Sequence, residues 1–230
     1  MNSEIKKDLA SNWFRILQNA FCDDIIKLEK NKLKFKSTVW KRSNNKDEGG
    51  GEFRLLQNGK IFEKVGVNFS KVYGKFPKQF QKNIPGAEKN PNFWASGISV
   101  VMHMRNPLIP AMHFNTRYIC TTQNWFGGGM DVTPSKTDTK EKKDFHQILK
   151  KMCDRHNKKY YKNYSKWCDK YFYLPHRRET RGIGGIFFDY KMNNWEKDFL
   201  FVKDLGITFG YLIKKIIRKK MFLKWTKKDK

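Results

Sequence analysis

The chain has 230 residues, with 48 Lys and Arg against 22 Asp and Glu and a formal net charge of +26 at pH 7. That length supports a substantial core within one domain spanning residues 1–230, and the 15% aromatic share excludes wholesale disorder. No apolar run approaches the roughly 20 residues that span a bilayer, and the amino terminus lacks a secretory apolar region, so no transmembrane segment and a cytoplasmic location are expected.

Ile5, Leu9, Trp13, Ile16, Leu17 and Ala20 recur near helical spacing, predicting an amphipathic helix over residues 3–29. Strands are expected over 33–41, 52–56 and 66–72, with Gly49-Gly50-Gly51 and Asn58-Gly59 at the turns. Residues 75–93 are polar and carry Pro77, Pro85 and Pro91, which reads as a loop or lid. Residues 96–104 and 111–121 alternate as two adjacent strands, their connection bracketed by Pro107 and Pro110. Over 139–172, Phe145, Ile148, Leu149 and Met152 and then Tyr160, Tyr161, Tyr164, Trp167 and Tyr171 fit one long helix or two broken ones. Ile186, Phe187 and Phe188 read as a buried strand ending at Asp189. A last helix over 197–220 is weakened by Gly206 and Gly210, and 214–230 forms a basic tail.

A charge of +26 ordinarily points to nucleic acid or an anionic membrane. Here the lysines are spread along the whole chain beside many Asn, Ile and Phe, as biased codon usage also produces. A solvated surface and a phosphate-binding one are left equally open, while the absence of a recognisable nucleic-acid motif argues against a nucleic-acid partner. Cys22, Cys120, Cys153 and Cys168 show no C-x-x-C spacing and read as reduced, structural thiols.

Chemistry concentrates in a few stretches. His113-Phe114-Asn115-Thr116-Arg117 alternates, so His113, Asn115 and Arg117 share one strand face and Phe114 and Thr116 the other. An imidazole, an amide and a guanidinium together suit carboxylate recognition, although a plain solvent face has the same pattern. Asp131 follows Gly127-Gly128-Gly129, where it either gathers N–H donors from a ligand lying against bare backbone or caps the turn before Pro134. Arg177, Arg178 and Arg181, just before Gly182-Ile183-Gly184-Gly185, are either surface charges or anion-steering groups. His103 and His113 flank the Pro107-to-Pro110 connection and so are expected opposite each other on neighbouring strands, a weakly supported metal site with no H-E-x-x-H pattern. These features lead to an anion-binding enzyme pocket on an antiparallel sheet.

Taken together, Trp40-Lys41-Arg42, Gly49-Gly50-Gly51, residues 62–70, residues 95–103, Arg105-Asn106-Pro107, residues 113–118, 125–134 and 173–189 resemble, in order, the oxygen-dependent coproporphyrinogen III oxidases. The resemblance implies an α+β fold, a large antiparallel β-sheet flanked by helices on both faces. It implies oxidative decarboxylation by O2 of two propionates of coproporphyrinogen III to vinyl groups, giving protoporphyrinogen IX in haem biosynthesis, by a homodimer with no organic cofactor. Position by position, it implies substrate binding at Ser99, Asn115, Thr116 and Arg117, a proton donor at His113, and a carboxylate at Asp131 that holds pyrrole N–H groups. Catalysis is thereby assigned to His113, Asp131 and Arg117, and a divalent metal to His103, His113, His146 and His176. Family members continue past residue 230, so the chain is expected to lack a C-terminal segment, with an inactive remnant or half of a split enzyme as the alternative reading.

Overall fold

The computed structural model describes residues 1–30 and 32–229. Helix α1 (Ser3–Glu29) starts where the Asn2 side chain accepts the Glu4 N–H at 3.1 Å, and it stops at Lys30, whose left-handed backbone closes a 3.2 Å bond to the Ile26 carbonyl. Ala10, Phe14, Leu17, Phe21, Ile25 and Leu28 form its buried stripe. The buried Glu29 carboxylate accepts the N–H groups of Lys60, Ile61 and Phe62 at 2.8, 3.0 and 2.6 Å, fastening the end of α1 to a strand turn.

The chain then runs through β1 (Lys36–Lys41), β2 (Gly49–Gln57), β3 (Phe62–Lys75), the short α2 (Lys78–Gln81), β4 (Asn92–Met104), β5 (Ala111–Cys120) and β6 (Asn124–Thr133). Helices α3 (Thr139–His156) and α4 (Tyr160–Tyr171), the two-strand hairpin β7 (Tyr173–Leu174) and β8 (Glu179–Thr180), β9 (Gly185–Lys191) and α5 (Trp195–Lys220) complete it. Seven strands make one antiparallel sheet in the order β1-β2-β3-β4-β5-β6-β9. Two expectations are corrected. Gly49, Gly50 and Gly51 are paired residues of β2, not a turn. Residues 75–93 contain α2 and the start of β4, whereas the last helix runs to Lys220 as its periodicity predicts. The helical pattern over 139–172 divides at Asn157, which is extended.

In β5, Met112, Phe114, Thr116 and Tyr118 are buried, and the residues between them are half-buried. The first set meets α1 and α5, where Phe21, Phe114 and Phe209 join helix, strand and helix: Phe114 stacks on Phe209 at 4.8 Å, and Phe21 meets both rings edge-on. Leu17 of α1 packs against the bare backbone of Gly206 in α5. Helix α4 straddles the edge strand β9. Tyr164 lies against Phe188 on the α5 side, whereas Tyr171 stacks on Phe187 at 4.0 Å on the opposite face. Helices therefore reach both faces, unequally: α1 and α5 cover the first, and α4 touches the second at its β9 edge. Among the described residues no helix is long and apolar enough to cross a membrane.

Candidate active site

The second face of β4, β5, β6 and β9 collects the polar residues. Directly paired residues project to the same side, so the register fixes the array: Ser99 opposite Asn115, Asn115 opposite Gly129, Arg117 opposite Gly127, and His113 opposite Asp131. The glycines provide room. A Cβ on Gly127 would overlap the Asp189 carboxylate and approach the Arg117 guanidinium to 3.1 Å.

Asp131 has a side chain only 3% exposed and is held by a two-pronged ion pair, with Arg181 Nε donating to Oδ2 at 2.8 Å and Nη2 to Oδ1 at 2.6 Å. His113 Nδ1 lies 3.4 Å from Asp131 Oδ2, within ion-pair reach but outside hydrogen-bond geometry. The Arg181 guanidinium also rests 3.8 Å above the Phe172 ring. Arg117 forms the second centre, donating to Asp189 Oδ2 at 2.6 Å and to Asn115 Oδ1 at 3.3 Å.

A bulge decides what β9 shows this face. Pairing shifts between Gly128 opposite Phe188 and Phe126 opposite Lys191, and Tyr190 adopts a positive φ of 52°. Asp189 consequently faces Arg117, while Lys191, two residues on, points into the helix layer. There it pairs with the buried Asp198 at 2.9 Å and donates to the Tyr160 hydroxyl at 2.5 Å.

Ser99, Asn115, Arg117, His113 and Asp131 are brought to one face, as the alternation requires. Thr116 is a correction: its side chain is 1% exposed on the α1/α5 side, separated from the others by the sheet itself. The histidines do not converge. His103 and His113 are diagonal neighbours with ring centroids 6.4 Å apart, because Val101 is the residue opposite His113. His146 stands on α3 with Nε2 2.7 Å from the Ile183 carbonyl and Nδ1 3.1 Å from the Tyr161 hydroxyl, and His176 is exposed between β7 and β8. No group of three His, Cys, Asp or Glu residues among those described could hold a metal, so His103, His113, His146 and His176 do not fit a shared ion.

Asp189 and Arg181 belong to the array, although sequence reasoning makes the first a strand end and the second an anion-steering or plain surface charge. Their roles depend on β9 pairing with β6, which sets Gly185 opposite Asp131. The glycines at 182, 184 and 185 are the one sequence signal of such a close approach. All four thiols are buried. Burial pushes Cys22 up to about 11 and Cys153 and Cys168 up to about 12, and the carboxylate of Asp131 adds to the shift of Cys168. They are inert packing groups at neutral pH.

The second face thus offers two guanidinium–carboxylate pairs, an imidazole, an amide and a hydroxyl on one side of the sheet, able to receive a ligand with several carboxylates and N–H donors. The sequence model of the family described as coproporphyrinogen III oxidase matches residues 10–230. Among curated proteins, the oxygen-dependent coproporphyrinogen-III oxidase of Rickettsia akari (strain Hartford) is 46% identical over 97% of this chain and 82% of its own length. The enzyme of the same name from Rickettsia rickettsii (strain Sheila Smith) is 46% identical over 100% of the chain and 84% of its own. A family match that begins in α1 and runs through every strand of the sheet, with relatives aligned over nearly every residue, places this chain in the coproporphyrinogen III oxidase family.

Proposed function

We propose that the second face of the sheet carries the oxygen-dependent oxidative decarboxylation of coproporphyrinogen III, converting two propionates to vinyl groups and giving protoporphyrinogen IX. The observation that carries this reading is the register that sets His113 beside Asp131 and places Arg117 further along the same face. Each propionate loses its carboxylate carbon as CO2, together with one proton and two electrons, as the side chain becomes a vinyl. O2 accepts the electrons, and two conversions release the four that reduce one O2 to two waters.

Arg117 pairs with a propionate and fixes which side chain reacts, while Ser99 and Asn115 supply neutral hydrogen bonds beside it. Asp131 accepts pyrrole N–H groups and stabilises positive charge on the ring as it is oxidised, the role for which a poorly exposed carboxylate is effective. His113 sits where it can give or take a proton next to Asp131. Thr116 has no part in binding, and no step passes through a metal. An electron-rich pyrrole reacts with O2 without an organic cofactor, so none is proposed. A homodimer and a cytoplasmic location complete the proposal, the latter supported by four free thiols.

The test is to load coproporphyrinogen III anaerobically, admit O2, and detect protoporphyrin chromatographically after oxidation of the product. The expected result is product above a no-protein control, abolished by Asp131→Ala and by Arg117→Ala in folded protein. Full activity in either variant removes that residue from the site. A folded wild-type chain that binds the porphyrinogen without releasing CO2 would instead be a tetrapyrrole-binding remnant.

A further inference from the structure

Residues 181–185 bend around Asp131 in a demanding conformation. Gly182 and Gly184 hold positive φ values of 59° and 76°, and the backbone bonds across to β6, with the Ile183 N–H donating to the Val132 carbonyl at 3.0 Å and the Val132 N–H to the Gly184 carbonyl at 3.3 Å. Arg181 at one end pairs with Asp131, and Gly185 at the other lies opposite it in the sheet. Glycine visits left- and right-handed backbone about equally, so such a loop has little rigidity of its own. Whatever holds it also holds the partner of Asp131.

Helices α3 and α4 provide that hold. His146 Nε2 lies 2.7 Å from the Ile183 carbonyl, and the Tyr161 hydroxyl lies 3.1 Å from His146 Nδ1. A carbonyl oxygen only accepts, so Nε2 carries the proton, and Nδ1 of the neutral ring accepts from Tyr161. Burial pushes the Tyr161 phenol above its ordinary value, which keeps it a donor. The relay from Tyr161 through His146 to Ile183 is therefore directional, each bond polarising the next, and it leaves neither ring nitrogen for a metal. Ile183 is buried, so without His146 its carbonyl would lack a partner unless the loop moved toward water. We propose that His146 is a positioning residue, which through the Ile183 carbonyl fixes the glycine loop and so sets Arg181 and Asp131 in the geometry that the site uses. The inference rests on the reading of Asp131 given above.

The test reads two nuclear magnetic resonance signatures in substrate-free protein: the Arg181 Nε–H, assigned by its loss in Arg181→Lys, and the ring nitrogens of His146, assigned by their loss in His146→Gln. His146 should show a protonated Nε2 and a bare Nδ1, both unchanged by equimolar Zn2+. His146→Leu, which cannot donate, should move the Arg181 signal toward that of a free guanidinium and lower kcat/KM for coproporphyrinogen III by about tenfold or more, as misplacement of a group by about 1 Å does. His146→Gln, whose amide can donate from the place of Nε2, should keep the signal and most of the activity. A side chain that only filled space would be replaced better by Leu than by Gln. Tyr161→Phe keeps the ring and removes only the hydroxyl, so it serves even where His146→Leu does not fold, and it should mix the two tautomers and move the Arg181 signal in the same direction. An Arg181 signal unmoved in the folded variants, a bare Nε2, or a ring nitrogen shifted by Zn2+ overturns the assignment and leaves the function of the sheet face intact. A wild-type protein that shows both signatures and fails to turn over coproporphyrinogen III overturns the functional reading, and with it any catalysis for His146 to serve.

Discussion

On one face of β5, Phe114 and Tyr118 are packed under α1 and α5 with almost no exposure, and on the other, one residue out of step, His113, Asn115 and Arg117 remain half-buried and polar. The charges on the two sides are treated differently as well. Lys191 and Asp198 in the helix layer are 2% and 3% exposed and enclosed by aromatic rings, whereas Arg117 and Asp189 on the second face are 31% and 20% exposed. A pair sealed into a core can only hold the structure. One within reach of solvent can also change partners, and the Tyr190 bulge makes the same short strand supply one of each.

Substitutions of similar size on the two faces should therefore fail in different ways. Phe114→Ala removes the ring that joins α1 to α5 and is expected to cost about 3–5 kcal/mol of stability, measured by urea unfolding, with kcat of the folded fraction near the wild-type value. Asp131→Ala is expected to lower kcat by about 10²–10³, comparable to removing a preorganised electrostatic stabiliser, while the unfolding midpoint moves little. A large stability loss from Asp131→Ala with intact turnover would reverse the roles assigned to the two faces.

Much of this division is legible in the sequence, and the exceptions have physical causes. Alternation over residues 111–121 by itself separates His113, Asn115 and Arg117 from Phe114 and Thr116, because side-chain direction in a strand has period two. The family resemblance nevertheless includes Thr116 among the binding residues, and the strand geometry corrects it. The glycines at 49–51 read as a turn because glycine serves turns and close strand approach alike, and composition does not separate the two. Asp189 and Arg181 are visible in the sequence as residues but not as partners. Their ion pairs join positions 72 and 50 residues apart, and they require the β6–β9 register and its bulge, for which the glycines at 182, 184 and 185 signal a close approach but not the partner strand or the pairing.

The charged groups on the helix side should show themselves through acid stability. Glu52 links α1 to the β1–β2 edge: Arg54 donates to it at 2.8 and 3.3 Å, Ser37 at 2.5 Å, and Arg15 from α1 completes the cluster. The Arg54 hydrogen bond, chiefly, lowers its carboxyl from 4.5 to about 2. A depressed acid stabilises the folded state fully above its unfolded value and loses that contribution as pH falls through its folded one. The Glu52 contribution should thus disappear between about pH 4.5 and 2. Unfolding midpoints followed over that range should fall less steeply in Glu52→Gln than in the wild type, and parallel profiles would show that Glu52 is not linked to folding.

The smallest expected effect is the sharpest test of the boundary between the faces. Thr116 lies between Asn115 and Arg117 in sequence, yet its hydroxyl is buried on the helix side without a hydrogen-bond partner among the described residues. Thr116→Val keeps the branched shape that suits a strand and removes an unsatisfied polar atom, so stability should be unchanged or rise by about 1 kcal/mol. KM for coproporphyrinogen III should stay within about twofold, because a side chain on the far side of a continuous sheet affects a ligand only by shifting its neighbours, and a change that keeps the shape shifts them little. A tenfold rise in KM with normal stability would mean that substrate reaches the helix-covered face. The site would then have to be sought among the residues that α1 and α5 now cover.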